Sequence, residues 1–125
     1  MKKEKEVIGW YQFEELCQKL ISQIHKKYDL VAGVTRGGLI PAVYISHRLK
    51  LPMIAMDKEE KLPVDCRVLV IDEIYDTGET LFGIMKRNPA ADFGVLYHQA
   101  SLPPLNYFGE KKVLDKWIVF PWEVL

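Results

Sequence analysis

The chain has 125 residues, 49% of them hydrophobic, and its formal net charge is zero. That length fits an ordinary apolar core, so residues 1–125 are expected to form a single domain. Because the chain is neutral, neither a nucleic acid nor a membrane is expected as a partner. No apolar run reaches the roughly 18 residues of a membrane span, and the amino end lacks the apolar core of a signal peptide. A cytoplasmic location is the resulting expectation.

Helical and strand patterns alternate along the chain. The predicted elements are helix 10–27, strand 29–34, helix 39–49, strand 51–56, strand 67–71, helix 79–88, strand 93–98 and a short strand before Pro121, with 57–66 a polar connection and 100–109 irregular. This alternation predicts an α/β fold with a doubly wound, mainly parallel sheet flanked by helices. Ligands of such sheets bind beyond the carboxyl ends of the strands, where the strand order reverses.

Thiols and imidazoles are scattered. Cys17 and Cys66 lie far apart, and the three histidines form no cluster with metal-ligand spacing. Two reduced thiols are therefore expected, and no zinc-type centre is predicted.

The stretch VLVIDEIYDTGET, residues 68–80, crowds three carboxylates at the end of an apolar strand: Asp72, Glu73 and Asp76. Two carboxylates about 6 Å apart repel by roughly 3 kcal/mol at an effective dielectric of 20. The group therefore needs a cation, protonation or hydroxyl donors. A solvated acidic turn without a function would explain any one of these residues. It explains less well why all three occur together at the end of a buried strand.

Two glycine turns join a strand to a helix, at 34–38 and at 76–80. Each offers backbone N–H groups at a helix amino end, and the first also has the positively charged guanidinium group of Arg36. Taken singly, each is also compatible with an ordinary tight turn or capped helix start. Both follow strand carboxyl ends, so they are expected to share one crevice with the carboxylates. Two anion sites with carboxylates between them suit a ligand that has a phosphate at one end, a diol in the middle and a second phosphate group at the other end. Ribose 5-phosphate carrying pyrophosphate at C1 has this layout.

VLVIDEIYDTGET resembles the phosphoribosyl pyrophosphate signature of the type I phosphoribosyltransferases. GVTRGGLIPA is similar to their pyrophosphate-binding turn, and KWIVFPWE to the carboxyl end of the xanthine/guanine/hypoxanthine branch. The resemblance implies that branch's fold, with a reduced hood formed by the C-terminal segment. It also implies transfer of the 5-phosphoribosyl group from phosphoribosyl pyrophosphate to a purine base in purine salvage, with release of pyrophosphate.

The resemblance further implies roles for the charged residues. Asp72 and Glu73 are expected to hold the ribose hydroxyls, with Asp72 also beside Mg²⁺. Asp76 is expected near purine N7 as a proton acceptor. Arg36 and Mg²⁺ are expected to stabilise the negative charge of the departing diphosphate.

Phosphate and base contacts are assigned by the same matches. The 5′-phosphate is expected to be wrapped by Thr77, Gly78, Glu79 and Thr80. Pyrophosphate is expected to be held by Thr35, Arg36 and Gly37, with a cis peptide predicted between Thr35 and Arg36. The purine is expected to stack on Trp117 and to meet the backbone of Ile118. Without the resemblance, Trp117 would be interpreted as a core aromatic residue.

Two departures from the family pattern stand out. The segment 57–66 is too short for the long loop that closes over the site in active members. The lysine that binds the oxo group of a 6-oxopurine is replaced by His98 or Gln99. These departures leave open a non-catalytic sensor or regulator that binds phosphoribosyl pyrophosphate or a nucleotide.

Two expectations concern the surface. Residues 110–112 are expected to be solvated and without function. A homodimer is expected because members of the family commonly pair.

Overall fold

The computed structural model describes residues 4–99, 105–112 and 116–123. Within these residues the elements are β1 Glu4–Val7, α1 Trp10–Ile21, β2 Leu30–Val34, α2 Leu39–Leu49, β3 Met53–Met56, β4 Val68–Tyr75, α3 Glu79–Arg87, β5 Asp92–His98, β6 Tyr107–Lys111 and β7 Lys116–Val119. No helix in these ranges is long and apolar enough to cross a membrane.

The main sheet has five parallel strands in the order β3-β2-β4-β5-β6. After β2 the chain moves to one side to form β3, and it then crosses back to form β4 on the other side. The strand order therefore reverses between β2 and β4. The predicted doubly wound, parallel α/β fold is confirmed, and both glycine turns follow strands that flank the reversal.

Helices cover both faces of this sheet. The helices α1 and α2 pack on one face with Leu69 and Ile71 of β4, whereas α3 packs on the other face with Val68 and Val70. All four of these side chains are buried, and so the strand is a continuous apolar run rather than an alternating one. Burying each such side chain contributes about 1.5–3 kcal/mol. Asp72 and Glu73 lie in the carboxyl half of this strand, and Asp76 follows its last residue.

A second small sheet forms the hood over the carboxyl edge. Its strands are β1 and β7, which pair in parallel from Glu4 and Lys116 onward. Behind β7, the rings of Phe120 and Trp122 stack at 4.8 Å, and Phe13 of α1 packs edge-on against Trp122. The hood thus includes the predicted C-terminal segment, but it also uses an amino-terminal strand that the charged sequence EKEV did not indicate.

Tertiary contacts explain the remaining differences from the predicted elements. The helix predicted to reach residue 27 ends at Ile21. Just beyond it, the side-chain amide of Gln23 forms two hydrogen bonds with the backbone of Phe108 in β6: it donates to the carbonyl at 2.6 Å and accepts from the N–H at 3.3 Å. The strand β6 lies within a segment predicted to be irregular. The strand β4 runs four residues beyond the predicted end because Ile74 and Tyr75 pair with β5.

The connection from β3 to β4, residues 57–67, is fastened to the carboxyl end of α3. Arg87 donates to the Lys58 carbonyl at 2.9 Å and forms an ion pair with Glu59 at 3.3 Å. Helices of a doubly wound sheet run antiparallel to its strands, so this end of α3 lies away from the carboxyl edge. The anchored loop is therefore a structural connection and not a lid.

Replacing Asn88 by alanine is expected to lower the free energy of unfolding by about 2 kcal/mol. The side chain is 6% exposed, accepts from the Leu62 N–H at 2.6 Å and donates to the carbonyls of Glu60 and Ile84. Its removal leaves buried polar groups without partners. Urea denaturation measures the loss, with Lys58→Ala in the same loop as control. A change below about 0.5 kcal/mol, the range of ordinary surface substitutions, would contradict this anchoring role.

Candidate active site

A crevice of about 430 Å³ lies at the carboxyl edge of the sheet, under the hood. Eleven of the twelve predicted site residues line it: Thr35, Arg36, Gly37, Asp72, Glu73, Asp76, Thr77, Gly78, Thr80, Trp117 and Ile118. The exception, Glu79, is the exposed first residue of α3. The structure thus brings together segments that are more than 80 residues apart in sequence, although their chemical roles stay predictions.

The turn after β2 lies directly against the end of β4. The peptide bond between Thr35 and Arg36 is cis, which confirms that prediction. A Cβ atom at Gly37 would overlap the Glu73 carboxylate. Because the overlapping atoms are the end of a flexible side chain, a larger residue at Gly37 would displace the Glu73 carboxylate, and the turn that carries Arg36 therefore lies against the acidic cluster.

The turn before α3 presents the helix amino end to the crevice. Gly78 has φ +86°, a left-handed conformation that favours glycine, and a Cβ there would lie 2.5 Å from the Tyr75 hydroxyl. The Glu79 N–H donates weakly to the Thr77 hydroxyl at 3.4 Å. First-turn N–H groups of a helix lack intrahelical partners and carry the positive end of the helix dipole. The turn therefore has the geometry of an anion site.

Asp72 is the most buried member of the acidic cluster, with 7% of its surface exposed. Its Oδ1 accepts one hydrogen bond from the Glu73 N–H at 2.8 Å. Burial raises the pKa of the Asp72 carboxyl well above its ordinary value, and hydrogen bonding to and repulsion from the Glu73 carboxyl add to that rise. The raised pKa favours protonation of Asp72, which is one of the three compensations considered for the cluster.

The donor set fits a magnesium ion shared with a substrate. Across the described ranges no group of three or more histidine, cysteine, aspartate or glutamate residues is placed to hold a metal. Mg²⁺ is commonly held by one or two carboxylates together with water and substrate phosphates. Asp72, with Glu73 beside it, meets that requirement.

Trp117 is not a core residue. It lies on β7, lines the crevice and is 53% exposed. The hood is closed instead by Phe120 and Trp122. The interpretation of Trp117 as a core aromatic residue is therefore wrong, and its ring is available to a planar ligand.

Lys112 corrects the expectation that residues 110–112 are solvated. Its side chain is 2% exposed, lines the crevice and lies 3.6 Å from the Asp76 carboxylate. Its ammonium donates to the Gln99 carboxamide oxygen at 3.0 Å. The error follows from the missed strand β6, since a residue just past its end reaches the same edge as the other parallel strands. His98 packs against Phe108 and is not among the described residues of the crevice lining.

A curated xanthine-guanine phosphoribosyltransferase from Cereibacter sphaeroides is 30% identical to this chain over 115 residues, covering 75% of this chain and 68% of the relative. The chain belongs to the type I phosphoribosyltransferase family. No protein-family model matches this member.

Solved structures share the phosphoribosyltransferase fold. A purine phosphoribosyltransferase from Pyrococcus horikoshii is 30% identical, with a TM-score of 0.80 over 97% of this chain and 95% of that one. A hypothetical protein from Neisseria gonorrhoeae with bound ppGpp is 22% identical, with a TM-score of 0.78 over 100% and 92%. The second likeness shows the fold alone.

Proposed function

We propose that this phosphoribosyltransferase transfers the 5-phosphoribosyl group from phosphoribosyl pyrophosphate to a purine base, in an Mg²⁺-dependent reaction of purine salvage. One observation carries the proposal: the two glycine turns and the acidic cluster of the family signature line one crevice. The names of the relatives from C. sphaeroides and P. horikoshii support the purine acceptor.

We assign each part of phosphoribosyl pyrophosphate to one part of the crevice lining. The turn 76–80 takes the 5′-phosphate at the amino end of α3, and the turn 35–37 takes the diphosphate. Between them, Asp72 and Glu73 accept hydrogen bonds from the two ribose hydroxyls. These donors also compensate the repulsion within the cluster, so ligand binding favours the ionised form of Asp72.

The chemical step is a substitution at C1 of the ribose. A base nitrogen forms the new bond to C1 while the bond from C1 to the diphosphate oxygen breaks, and its electron pair leaves with the diphosphate. Asp76 accepts the proton that the base loses, and Arg36 with the turn N–H groups stabilises the departing charge. When bound, Mg²⁺ adds positive charge at the diphosphate.

Replacing Trp117 by alanine is expected to weaken binding of a purine nucleoside monophosphate about tenfold, because stacking of one base on an aromatic ring contributes about 1–3 kcal/mol. Affinity for phosphoribosyl pyrophosphate should not change, since that ligand has no base. Calorimetric titration measures both. Trp10→Ala is a matched control because Trp10 is 55% exposed and lies outside the crevice lining. Equal losses for both ligands would contradict the stacking role.

A second candidate is a non-catalytic sensor of phosphoribosyl pyrophosphate or a nucleotide. It is favoured by the anchoring of 57–67 to α3, because that segment provides no residue to the described lining of the crevice. Without a lid, water reaches the reacting centre. The ppGpp bound by the gonococcal protein makes that nucleotide a ligand to include in the comparison.

Pyrophosphate release separates the two candidates. Protein and phosphoribosyl pyrophosphate are mixed with guanine, xanthine, hypoxanthine or adenine, with Mg²⁺ and again with excess EDTA. Base-dependent release that EDTA abolishes is expected. Tight binding of phosphoribosyl pyrophosphate or ppGpp, without pyrophosphate release for any base, would contradict the enzyme and support the sensor.

The assembly and location stay proposals carried by the family. We propose a homodimer in the cytoplasm, and light scattering coupled to gel filtration tests the dimer. A mass of one chain at micromolar concentration would contradict it.

A further inference from the structure

A second cleft, of about 440 Å³, lies where the hood, α1 and the edge strand β6 meet. We call it the acidic cleft, and its lining includes Glu6, Glu15, Leu16, Lys19, Tyr97 and Glu110. None of these residues lines the crevice at the carboxyl edge of the main sheet. The three carboxylates come from three elements, β1, α1 and β6, so the tertiary fold brings them together. Small-molecule sites have volumes of about 300–1,000 Å³, and this cleft falls in that range.

The three carboxylates of the acidic cleft form no ion pair within the described part of the chain. By contrast, Glu4, two residues before Glu6 on β1, pairs with Lys116 at 3.5 Å. Lys19 is the only cation in the described lining, and it forms no ion pair among those residues either. Three carboxylates and one ammonium group leave two negative charges. Because the whole chain is neutral, this excess is local to the cleft.

The hydroxyl of Tyr97 points independently to a ligand. Tyr97 is 6% exposed, lines the acidic cleft and forms no side-chain hydrogen bond with any described residue. A buried tyrosine hydroxyl usually has a partner, as that of Tyr28 has in Asp92. Burial raises the pKa of Tyr97 to about 12, and the carboxylates of Glu6 and Glu110 add to that rise. The hydroxyl therefore stays neutral near those carboxylates and can accept a hydrogen bond.

We propose that the acidic cleft binds an alkyl diamine, a small organic molecule with two ammonium groups joined by methylene groups. The two ammonium groups match the two uncompensated negative charges, and they donate N–H groups to the carboxylates and to the Tyr97 hydroxyl. The methylene groups pack against Leu16 and the tyrosine ring, the apolar part of the lining. A metal ion fits less well, because no three acidic side chains among the described residues are placed to hold one.

The test is an NMR titration of the full chain with 1,4-diaminobutane. The diamine is expected to bind with a dissociation constant of about 1 mM, which corresponds to a binding free energy of about −4 kcal/mol. It should shift the backbone amide signals of Glu6, Glu15 and Glu110. Butylamine is the matched ligand, since it has the same carbon chain and one ammonium group. It should bind about fivefold more weakly, because it compensates only one of the charges.

Two variants test the assigned contacts. Tyr97→Phe removes the hydroxyl and keeps the ring, and it should weaken diamine binding about threefold to tenfold. The double variant Glu6→Gln with Glu110→Gln should weaken it about tenfold. The control is Glu4→Gln with Asp65→Asn, which removes the same charge from exposed positions outside the acidic cleft. The control should match wild type.

Three results would overturn the proposal: no saturable shift at millimolar diamine, equal affinity for the diamine and butylamine, or unchanged diamine affinity in either test variant. Shifts confined to Asp72, Glu73 and Asp76 would also overturn it, because the diamine would then bind the other acidic cluster. The titration contains no phosphoribosyl pyrophosphate. The inference therefore stands or falls separately from the proposed function.

Discussion

Replacing Asp72 by asparagine is expected to weaken phosphoribosyl pyrophosphate binding about tenfold to hundredfold while raising the melting temperature at pH 8. The affinity falls because a carboxylate that accepts from a ribose hydroxyl becomes a neutral amide, and hydrogen bonds to charged groups contribute about 1.5–3 kcal/mol. The stability rises because Asp72 is buried beside Glu73 and is penalised when ionised. Asparagine can retain the bond from the Glu73 N–H.

The pH dependence of this gain has a defined sign. In the unfolded chain Asp72 has its ordinary pKa of 3.8, and in the folded chain its pKa is raised. The wild-type chain therefore has its full contribution from the protonated carboxyl below pH 3.8 and loses that contribution as the pH rises through the folded pKa. Asparagine does not titrate. The melting temperature of Asp72→Asn minus that of wild type should increase from pH 4 to pH 8.

Calorimetric melting at several pH values, together with titration of the ligand, checks both halves of the prediction. Asp65→Asn is the control, since Asp65 is exposed and outside the crevice. Higher stability with unchanged ligand affinity would show that the acidic cluster is a structural turn. A melting difference that does not vary with pH would contradict the burial argument.

Replacing Arg36 by alanine is expected to lower kcat/KM about hundredfold. Arg36 is exposed in the turn after β2 and lines the same crevice as the turn before α3. A fixed donor that meets charge developing on a leaving group commonly contributes that much to a rate. Affinity for pyrophosphate and phosphoribosyl pyrophosphate should fall, whereas affinity for a nucleoside monophosphate should not.

Initial rates and titrations of the three ligands measure these effects. Arg48→Ala is a matched control, because Arg48 is an exposed arginine of α2 that pairs with Glu14 outside the crevice. An equal loss of affinity for the monophosphate would show that Arg36 does not act at the diphosphate.

Sequence predicted the parts of the fold whose patterns are local. Val68–Ile71 is apolar on both faces, as central parallel strands are, and α2 was predicted with its observed bounds, Leu39–Leu49. The strands β1 and β6 are charged edge strands, and their pairing depends on partners that lie far away in sequence. The end of α1 likewise depends on the contact between Gln23 and Phe108.

The parts of the candidate site that belong to a sequence motif could be predicted. The turns at 34–38 and 76–80 and the carboxylates between them combine residue types that few structural needs explain. Lys112 belongs to no motif, and its burial follows only from the strand before it and from Gln99 and Asp76 beside it. Trp117 was assigned through the family resemblance, because composition alone favoured a core position.

The nucleotide formed in a competition between bases decides whether this crevice catalyses phosphoribosyl transfer. The chain is incubated with Mg²⁺, phosphoribosyl pyrophosphate and equal concentrations of guanine, xanthine, hypoxanthine and adenine, and the products are identified by mass spectrometry. We expect a nucleoside monophosphate of at least one of these bases, with pyrophosphate released in equal amount. A folded chain that binds phosphoribosyl pyrophosphate and forms no nucleotide from any base would contradict the claim that this crevice catalyses phosphoribosyl transfer.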